Sequence, residues 1–136
     1  MRVFLDSNVL VSGIAFRGNE NRILLSTFRP LHEFVLSQDV QEEARGVLIR
    51  KFGRLRAGAY EALSLIRAEI VLRADYENML DKVPLPRDPK DAHVVAAAIA
   101  ADCDLLVTGD KDILSLGGVG SLQIVTPAAA LKILGI

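Results

Sequence analysis

Two neighbouring segments in the second half of the chain constrain the fold more than any other feature. Residues 92–101 form an almost wholly apolar stretch of helical length, and Leu105, Leu106 and Val107 follow after a short turn. A helix without a polar face and a strand without polar alternation must both be covered on all sides. Strands of this kind belong to parallel sheets with helices on both faces, so the unit predicts an α/β fold.

The remainder of the chain alternates short apolar strands with helical segments, which indicates the same architecture. The predicted strands are Arg2 to Leu5, Phe34 to Leu36, Glu69 to Leu72, Leu105 to Val107 and Leu122 to Val125. The predicted helices include one that begins after Ser37 as its N-cap and one from Gly58 to Arg67, whereas Asp75 to Leu80 is ambiguous. No linker or internal repeat interrupts the 136 residues, so we expect one domain over residues 1–136.

Composition narrows the class of protein. Hydrophobic residues make up 51% and charged residues 24%, which is typical of a globular domain, and no apolar run is long enough to span a membrane. The N-terminus lacks the zones of a signal peptide, and a single cysteine, Cys103, fits a reducing compartment, so we expect a cytoplasmic protein. A net charge of −1 gives no overall attraction to nucleic acid, so binding of that kind requires a local basic patch.

Acidic residues recur where the predicted strands end. Asp6 follows the first strand, Asp110 and Asp112 follow the fourth, and Asp91 lies in the first turn of the apolar helix. The carboxyl ends of the strands are the edge at which open α/β sheets bind ligands. These positions therefore favour a functional site at that edge.

Helical geometry adds Glu43 to these acids. It lies three residues after Val40 and four before Val47, on the side of the helix predicted to face inward, whereas Glu42 falls outside that side. A carboxylate on an inward face is costly unless it is paired or binds a metal. Glu43 is therefore predicted to face the other acids, and Glu42 is predicted to face solvent.

Each acid also has a simpler structural explanation. Asp88 before Pro89 is a good helix N-cap, Asp91 suits the helix dipole, and Asp112 would cap the turn before Ile113. Glu43 would be half exposed in that interpretation, and the segment from Thr108 to Asp110 would be a turn. We favour a common site because Asp6, Glu43, Asp91 and Asp110 would each require a separate explanation in a fold that would gather them.

The types of residue indicate the chemistry. Clustered carboxylates raise one another's pKa, so they need a counter-cation to stay ionised together. Oxygen ligands select Mg²⁺ or Mn²⁺, and His32 and His93 are too few and too far apart in sequence for a zinc site. No Gly-x-x-x-x-Gly-Lys loop is present to bind a nucleotide. Hydrolysis of a phosphodiester is therefore favoured.

Three segments together resemble a PIN domain: MRVFLDSNVLVSG, SQDVQEEARGVL and RDPKDAHVVAAAIAADCDLLVTGDKDIL. The closest similarity is to the PIN-family toxins of bacterial and archaeal toxin–antitoxin pairs. The resemblance implies a three-layer α/β/α fold with a parallel five-stranded sheet in the order 3-2-1-4-5. It also implies a Mg²⁺- or Mn²⁺-dependent ribonuclease and a cognate antitoxin as partner.

The family's acids match Asp6, Glu43, Asp91 and Asp110, with Asp112 as a fifth. The resemblance implies that these acids bind metal, and Glu43 either completes the coordination or orients the attacking water as a base. Asn8 and Thr108 match the polar positions that support the acids. The predicted RNA contacts, which a merely solvated basic face would equally explain, are Arg50, Lys51, Arg54, Arg56 and Lys111, with Arg45 nearby.

Two other functions stay open from the sequence. The chain could be a module that binds RNA or protein and cleaves little, or an acid-cluster phosphatase acting on small phosphate esters. Against the phosphatase, Asn8 stands where aspartyl-nucleophile phosphatases have a second Asp. The apolar helix after Asn8 predicts a homodimer face or an antitoxin groove, formed by Val9, Leu10, Val11, Ile14, Ala15 and Phe16.

Overall fold

A six-stranded sheet forms the centre of the protein. The computed structural model describes residues 1–53, 58 and 60–136. Its strands are β1 (Arg2–Leu5), β2 (Glu33–Ser37), β3 (Glu69–Val71), β4 (Leu105–Val107), β5 (Gly118–Val119) and β6 (Leu122–Val125), in the order β3-β2-β1-β4-β6-β5. All neighbours are parallel except β5 and β6. The five predicted strands keep the predicted order, and the α/β class is confirmed.

The prediction of a wholly parallel five-stranded sheet is wrong at one edge. β5 has only two residues and runs antiparallel to β6. Gly120, in the tight turn between these strands, has a φ of +59°, a left-handed conformation that glycine adopts without strain. This strand could not be predicted, because two residues, one of them Gly118, cannot show the alternation of side chains by which a strand is recognised.

Helices cover both faces of the sheet. They are α1 (Ser7–Ala15), α2 (Asn19–Ser26), α3 (Gln38–Phe52), α4 (Arg73–Tyr76), α5 (Ala92–Ala100), α6 (Lys111–Leu114) and α7 (Pro127–Leu134). α1 packs against α2 and α3, and α2 packs against α7, whereas α4 packs against α5. Because crossovers between parallel strands are right-handed as a rule, the strand order places the first group on one face and α4 with α5 on the other, which gives the predicted three layers.

Two segments differ from the helices expected between β2 and β4. Instead of a helix from Gly58 to Arg67, the structure has a 3₁₀ helix, Tyr60–Leu65, and the start of the predicted range lies partly outside the described residues. The ambiguous segment is the end of α4 followed by a 3₁₀ turn, Glu77–Met79. Short elements such as these lack the repeated apolar spacing that identifies a helix in sequence.

The two apolar segments that predicted the fold lie at its centre. Val94 to Ala98 of α5 and all of β4 are buried, and β4 pairs with β1, whose Val3, Phe4 and Leu5 are also buried. No helix in the described part of the chain is both long and apolar enough to cross a membrane. β1 and β4 therefore form an almost fully buried pair at the centre of the sheet.

The predicted interface on α1 needs correction. Val9, Leu10 and Ala15 belong to the core of this chain, and Val11 and Ile14 are half-buried against it. Helix α1 is apolar because α2 and α3 cover it within the same chain. Of the six predicted interface residues, only Phe16 is exposed.

Candidate metal centre at the carboxyl edge of the sheet

Asp6 is the most deeply buried acid of the site. It directly follows β1 and is the N-cap of α1, and its side chain is almost fully enclosed. Its Oδ1 accepts from the Ser7 amide at 2.7 Å, and its Oδ2 accepts from Thr108 Oγ1 at 2.6 Å and from Asn8 Nδ2 at 3.1 Å. Burial raises the pKa of Asp6, the bonds from Thr108 and Ser7 oppose that rise, and nearby acids add to it.

Asn8 and Thr108 connect the ends of β1 and β4. Asn8 Nδ2 lies 3.3 Å from Thr108 Oγ1, and Asn8 Oδ1 accepts from the Gly109 amide at 2.9 Å. The same Thr108 oxygen accepts from the Asp110 amide at 3.0 Å. These two side chains therefore fix the loop after β4 against Asp6, which is the arrangement expected of the polar supporting residues.

Asp110 is placed by a helix cap. It is the N-cap of α6, and its Oδ1 accepts from the Asp112 amide at 2.8 Å and from the Ile113 amide at 3.4 Å. The capping role that the sequence suggested for Asp112 therefore belongs to Asp110. One oxygen of Asp110 is used by the cap, and Asp112 is directed by the first turn of α6 toward the same edge.

Asp91, at the start of α5, lies close to these two acids. One carboxylate oxygen from each of Asp91, Asp110 and Asp112 lies within 4.8 Å of the others, and all three residues are partly buried. Partial burial, then the charges of neighbouring acids beginning with Asp110, raise the pKa of Asp91 to about 6. This arrangement offers three oxygen ligands to one cation.

Asp88 is confirmed as a cap. It is the N-cap of a 3₁₀ turn, Pro89–Asp91, and its Oδ1 accepts from the Lys90 amide at 3.0 Å. Asp91 follows as the N-cap residue of α5 but makes no capping hydrogen bond with its side chain. Its carboxylate is thus available to a ligand.

Glu43 does not lie on a buried side of α3, because its side chain is exposed. Val40, Ala44 and Leu48 are fully buried while Val47 is only half-buried, so the buried stripe is narrower than predicted. Glu43 lies at the margin of that stripe, and its charge acts to raise the pKa of both Asp6 and Asp91.

Glu42 is engaged elsewhere. It is exposed and pairs with Arg73 of α4 at 2.9 Å. The two adjacent glutamates therefore have different electrostatic neighbours, with Glu43 beside the acids of the edge and Glu42 beside a cation.

Cations lie at the rim of this acidic edge. Arg87 Nε is 3.5 Å from Asp112 Oδ1, and the Arg87 side chain is largely exposed. Lys111, between the two acids of α6, is exposed as well. Arg50 and Lys51 are exposed in the last turn of α3, and Arg54 and Arg56 lie outside the described residues. No local pattern predicts the contact of Arg87 with Asp112, because only the fold brings the two residues together.

The two histidines take no part in the acid cluster. His32 Nε2 lies 3.0 Å from the Leu134 carbonyl oxygen, far from the carboxyl edge. His93, on α5, has a buried Nδ1 with no hydrogen-bond partner among the described residues. The candidate ligands at the carboxyl edge, among the described residues, are therefore carboxylate oxygens, a donor type that suits Mg²⁺ or Mn²⁺ better than zinc.

The fold and the edge define a class: α/β proteins with a carboxylate site, of the kind that binds hard divalent cations, where β1 and β4 end. Residues 2–112 match a family model described as PIN domain. The chain belongs to the PIN domain family.

Solved structures show the same fold. VapBC2 from Rickettsia felis, bound to a DNA fragment from its promoter, matches with a TM-score of 0.61 and 18% identity over 93% of this chain and 98% of that chain. VapC20 from Mycobacterium tuberculosis, described as a sarcin-ricin loop cleaving toxin, matches with a TM-score of 0.60 and 20% identity over 89% of this chain and 98% of that chain. No curated protein sequence matches this chain.

Proposed function

We propose that the protein is a Mg²⁺- or Mn²⁺-dependent endoribonuclease and the toxin of a toxin–antitoxin pair. The observation that supports this function is the meeting of Asp91, Asp110 and Asp112 oxygens within 4.8 Å, next to the buried Asp6. Membership of the PIN family and the likeness to a sarcin-ricin loop cleaving toxin favour RNA as substrate.

In the proposed reaction the acids have different roles. Asp91, Asp110 and Asp112 would hold the cation, which would supply a polarised water and offset charge on the scissile phosphate. Asp6, held by Thr108 and Ser7, would bind the cation directly or through a water. Glu43 is exposed beside these acids and would complete the coordination or orient the attacking water as a base.

Positive charge at the rim would bind the RNA backbone. Arg87 is exposed beside Asp112, and Lys111 is exposed in the first turn of α6. Arg50 and Lys51 give a second exposed basic segment at the end of α3, and Arg54 and Arg56 belong to the same proposal. Contacts of this type add affinity without reading the RNA sequence.

Two protein partners belong to the proposal. Large apolar side chains remain exposed on α2 and beside it, namely Phe16, Leu25, Phe28 and Leu31. We propose that these residues are covered either by an antitoxin or by a second copy of the chain in a homodimer. Sedimentation as a monomer at micromolar concentration would contradict the homodimer, and co-purification with the product of an adjacent reading frame would support the antitoxin. A cytoplasmic location is also proposed, since Cys103 is a free thiol.

The two adjacent glutamates test the activity. Glu43→Gln keeps the size of the side chain and removes the charge, so we expect cleavage of a fluorescent RNA in Mn²⁺ to fall about 100-fold or more. Glu42→Gln is the matched control: its amide oxygen can still accept from Arg73, and we expect cleavage within twofold of the wild type, a margin of about 0.4 kcal/mol. An active Glu43→Gln with an inactive Glu42→Gln would overturn the site as described.

The same assay separates the other functions. RNA binding without cleavage at any Mg²⁺ or Mn²⁺ concentration would indicate a binding module. Hydrolysis of a chromogenic phosphate ester in preference to RNA would indicate a phosphatase. Cleavage of RNA that persists in excess chelator would exclude the metal dependence.

A further inference from the structure

A polar network joins α3 to α4 close to the acidic edge. Arg73, the first residue of α4, donates to Asp39 Oδ1 from Nε at 2.9 Å and from Nη2 at 2.6 Å, and Nη2 also lies 2.9 Å from Glu42 Oε2. Tyr76 donates from its hydroxyl to Asp39 Oδ2 at 2.5 Å and accepts from the Asp39 amide at 3.2 Å. The Arg73 amide donates to Gln38 Oε1 at 2.9 Å.

This network is not needed to cap α3. Ser37 already caps α3, because its Oγ accepts from the Val40 amide at 3.0 Å. Tyr76 is fully buried and yet uses its hydroxyl on Asp39. Partial burial acts to raise the pKa of Asp39, but the bonds from Arg73 and Tyr76 hold it below its ordinary value. Asp39 is therefore an ionised side chain committed to α4.

The network crosses between the two helical layers at the acidic edge. α3 lies on one face of the sheet, whereas α4 packs against α5 on the other. Asp39 precedes Glu43 by one turn on the same side of α3, and Asp91 is the N-cap residue of α5. The network therefore spans the same two layers as the pair formed by Glu43 and Asp91.

We propose that Arg73 is a positioning residue for the metal site, which fixes the rotation of α3 so that Glu43, and not Glu42, faces Asp6 and Asp91. Arg73 binds Glu42 and Asp39, which lie on one side of Glu43, so Glu43 remains close to the acidic edge. Tyr76 supports the same contact from the core. The inference rests on the proposed metal-dependent function and names a residue that controls it from outside the acid cluster.

Removing Arg73 has two opposite consequences for cation binding. Loss of a positive charge makes the edge more negative, which by Coulomb's law alone would strengthen the binding of Mn²⁺. Loss of the Arg73 ion pairs leaves Asp39, Glu42 and Glu43 to repel one another and lets α3 rotate. This change would weaken the binding of Mn²⁺. Weaker binding of Mn²⁺ can therefore be attributed to geometry.

The experiment compares Arg73→Gln with Arg2→Gln. Arg2 also bridges two acids, Glu33 at 2.8 Å and Glu69 at 3.0 Å, but at the opposite edge of the sheet, where β1 begins. The measurements are the Mn²⁺ dissociation constant by titration calorimetry and kcat and KM for a fluorescent RNA. We expect Arg73→Gln to raise the dissociation constant about threefold to tenfold, somewhat less than the loss of a side chain that touches a ligand directly.

The kinetic constants distinguish positioning from contact with RNA. We expect kcat of Arg73→Gln to fall while KM stays within twofold of the wild type, and Arg2→Gln to match the wild type in Mn²⁺ binding and in both constants. Tyr76→Phe keeps the buried ring and removes only the bonds to Asp39, so it should shift Mn²⁺ binding in the same direction by a smaller factor.

Three results would overturn the inference. If Arg73→Gln bound Mn²⁺ as tightly as the wild type or more tightly, the charge of Arg73 alone would account for its effect on Mn²⁺ binding. A rise in KM with constant kcat would make Arg73 an RNA contact, and equal losses in Arg73→Gln and Arg2→Gln would reduce it to a stabilising ion pair. If the wild type itself bound no Mn²⁺, the proposed function would fail, and the inference with it; that outcome is recognised before any variant is compared.

Discussion

Asp91 should destabilise the protein when no cation is bound, and this cost can be measured. Its pKa is raised from 3.8 to about 6 by partial burial and by neighbouring acids. About two units at about 1.4 kcal/mol each give an upper limit of about 3 kcal/mol for keeping Asp91 ionised in the folded state. The side chain is only partly buried, and the N-terminus of α5 favours a negative charge, so screening and the helix dipole reduce the expected cost to about 1 kcal/mol.

The substitution Asp91→Asn should therefore raise the stability of the metal-free protein. In excess chelator at pH 7.5 we expect the melting temperature to rise by about 3 °C, the shift that about 1 kcal/mol produces in a domain of this size. No capping hydrogen bond is lost, because the Asp91 side chain makes none. Asp81→Asn, at an exposed loop position, is the control and should leave the melting temperature unchanged.

The pH dependence gives the sign of the effect. The folded pKa of Asp91 lies above the unfolded value, so the folded state binds the proton more tightly, and the metal-free wild type gains stability as the pH falls from above 6 towards 4. The advantage of Asp91→Asn should thus be full above pH 6 and vanish near pH 4. With millimolar Mn²⁺ the order should reverse, since binding to the folded state stabilises the wild type more. An Asp91→Asn variant that melts below the wild type in chelator, or a difference that is constant between pH 4 and 7.5, would refute this reasoning.

Three further outcomes are expected. Thr108→Val removes the hydroxyl that donates to the buried Asp6 at 2.6 Å, so the free energy of unfolding in urea should fall by about 2 kcal/mol, with a smaller loss for Thr108→Ser. Arg87→Met should raise KM for RNA about threefold without weakening Mn²⁺ binding, because a rim cation attracts the RNA backbone rather than the metal. Gly13→Ala places a Cβ 2.5 Å from Leu24 Cδ1, so it should lower stability by about 1–2 kcal/mol in urea while cleavage at low temperature is retained.

The strands that carry the acids could be predicted because their signals are local. β1 and β4 are short apolar runs that end at an acid or shortly before one, and the helix that begins near Asp91 lacks any polar face. Such patterns require knowledge of only a few neighbouring residues. The edge strand β5 could not be predicted in the same way, because a two-residue strand that contains Gly118 carries no alternation.

The surroundings of Glu43 were harder to predict. Helical spacing separated Glu43 from Glu42, but it does not give the width of the buried stripe, which depends on what packs against α3. The bridge from Arg73 to Asp39 and Glu42 joins residues 34 and 31 positions apart, so no local pattern reveals it. The capping role of Asp110 rather than Asp112 depends on where α6 begins, and a four-residue helix has no periodicity to show it.

The hydrogen bond between Asp6 and Thr108 bears on the stage of synthesis at which the chain can first bind a cation. The two residues are 102 positions apart, and β1 receives β4 as its neighbour only after that whole length of chain exists. Before then, Asp6 has neither its hydroxyl donor nor the acids that follow β4. A partly synthesised chain thus contains β1, β2 and β3 but no complete acid cluster. The full set of acids can therefore hold a cation only after residues 105–112 have been synthesised and β4 has paired with β1.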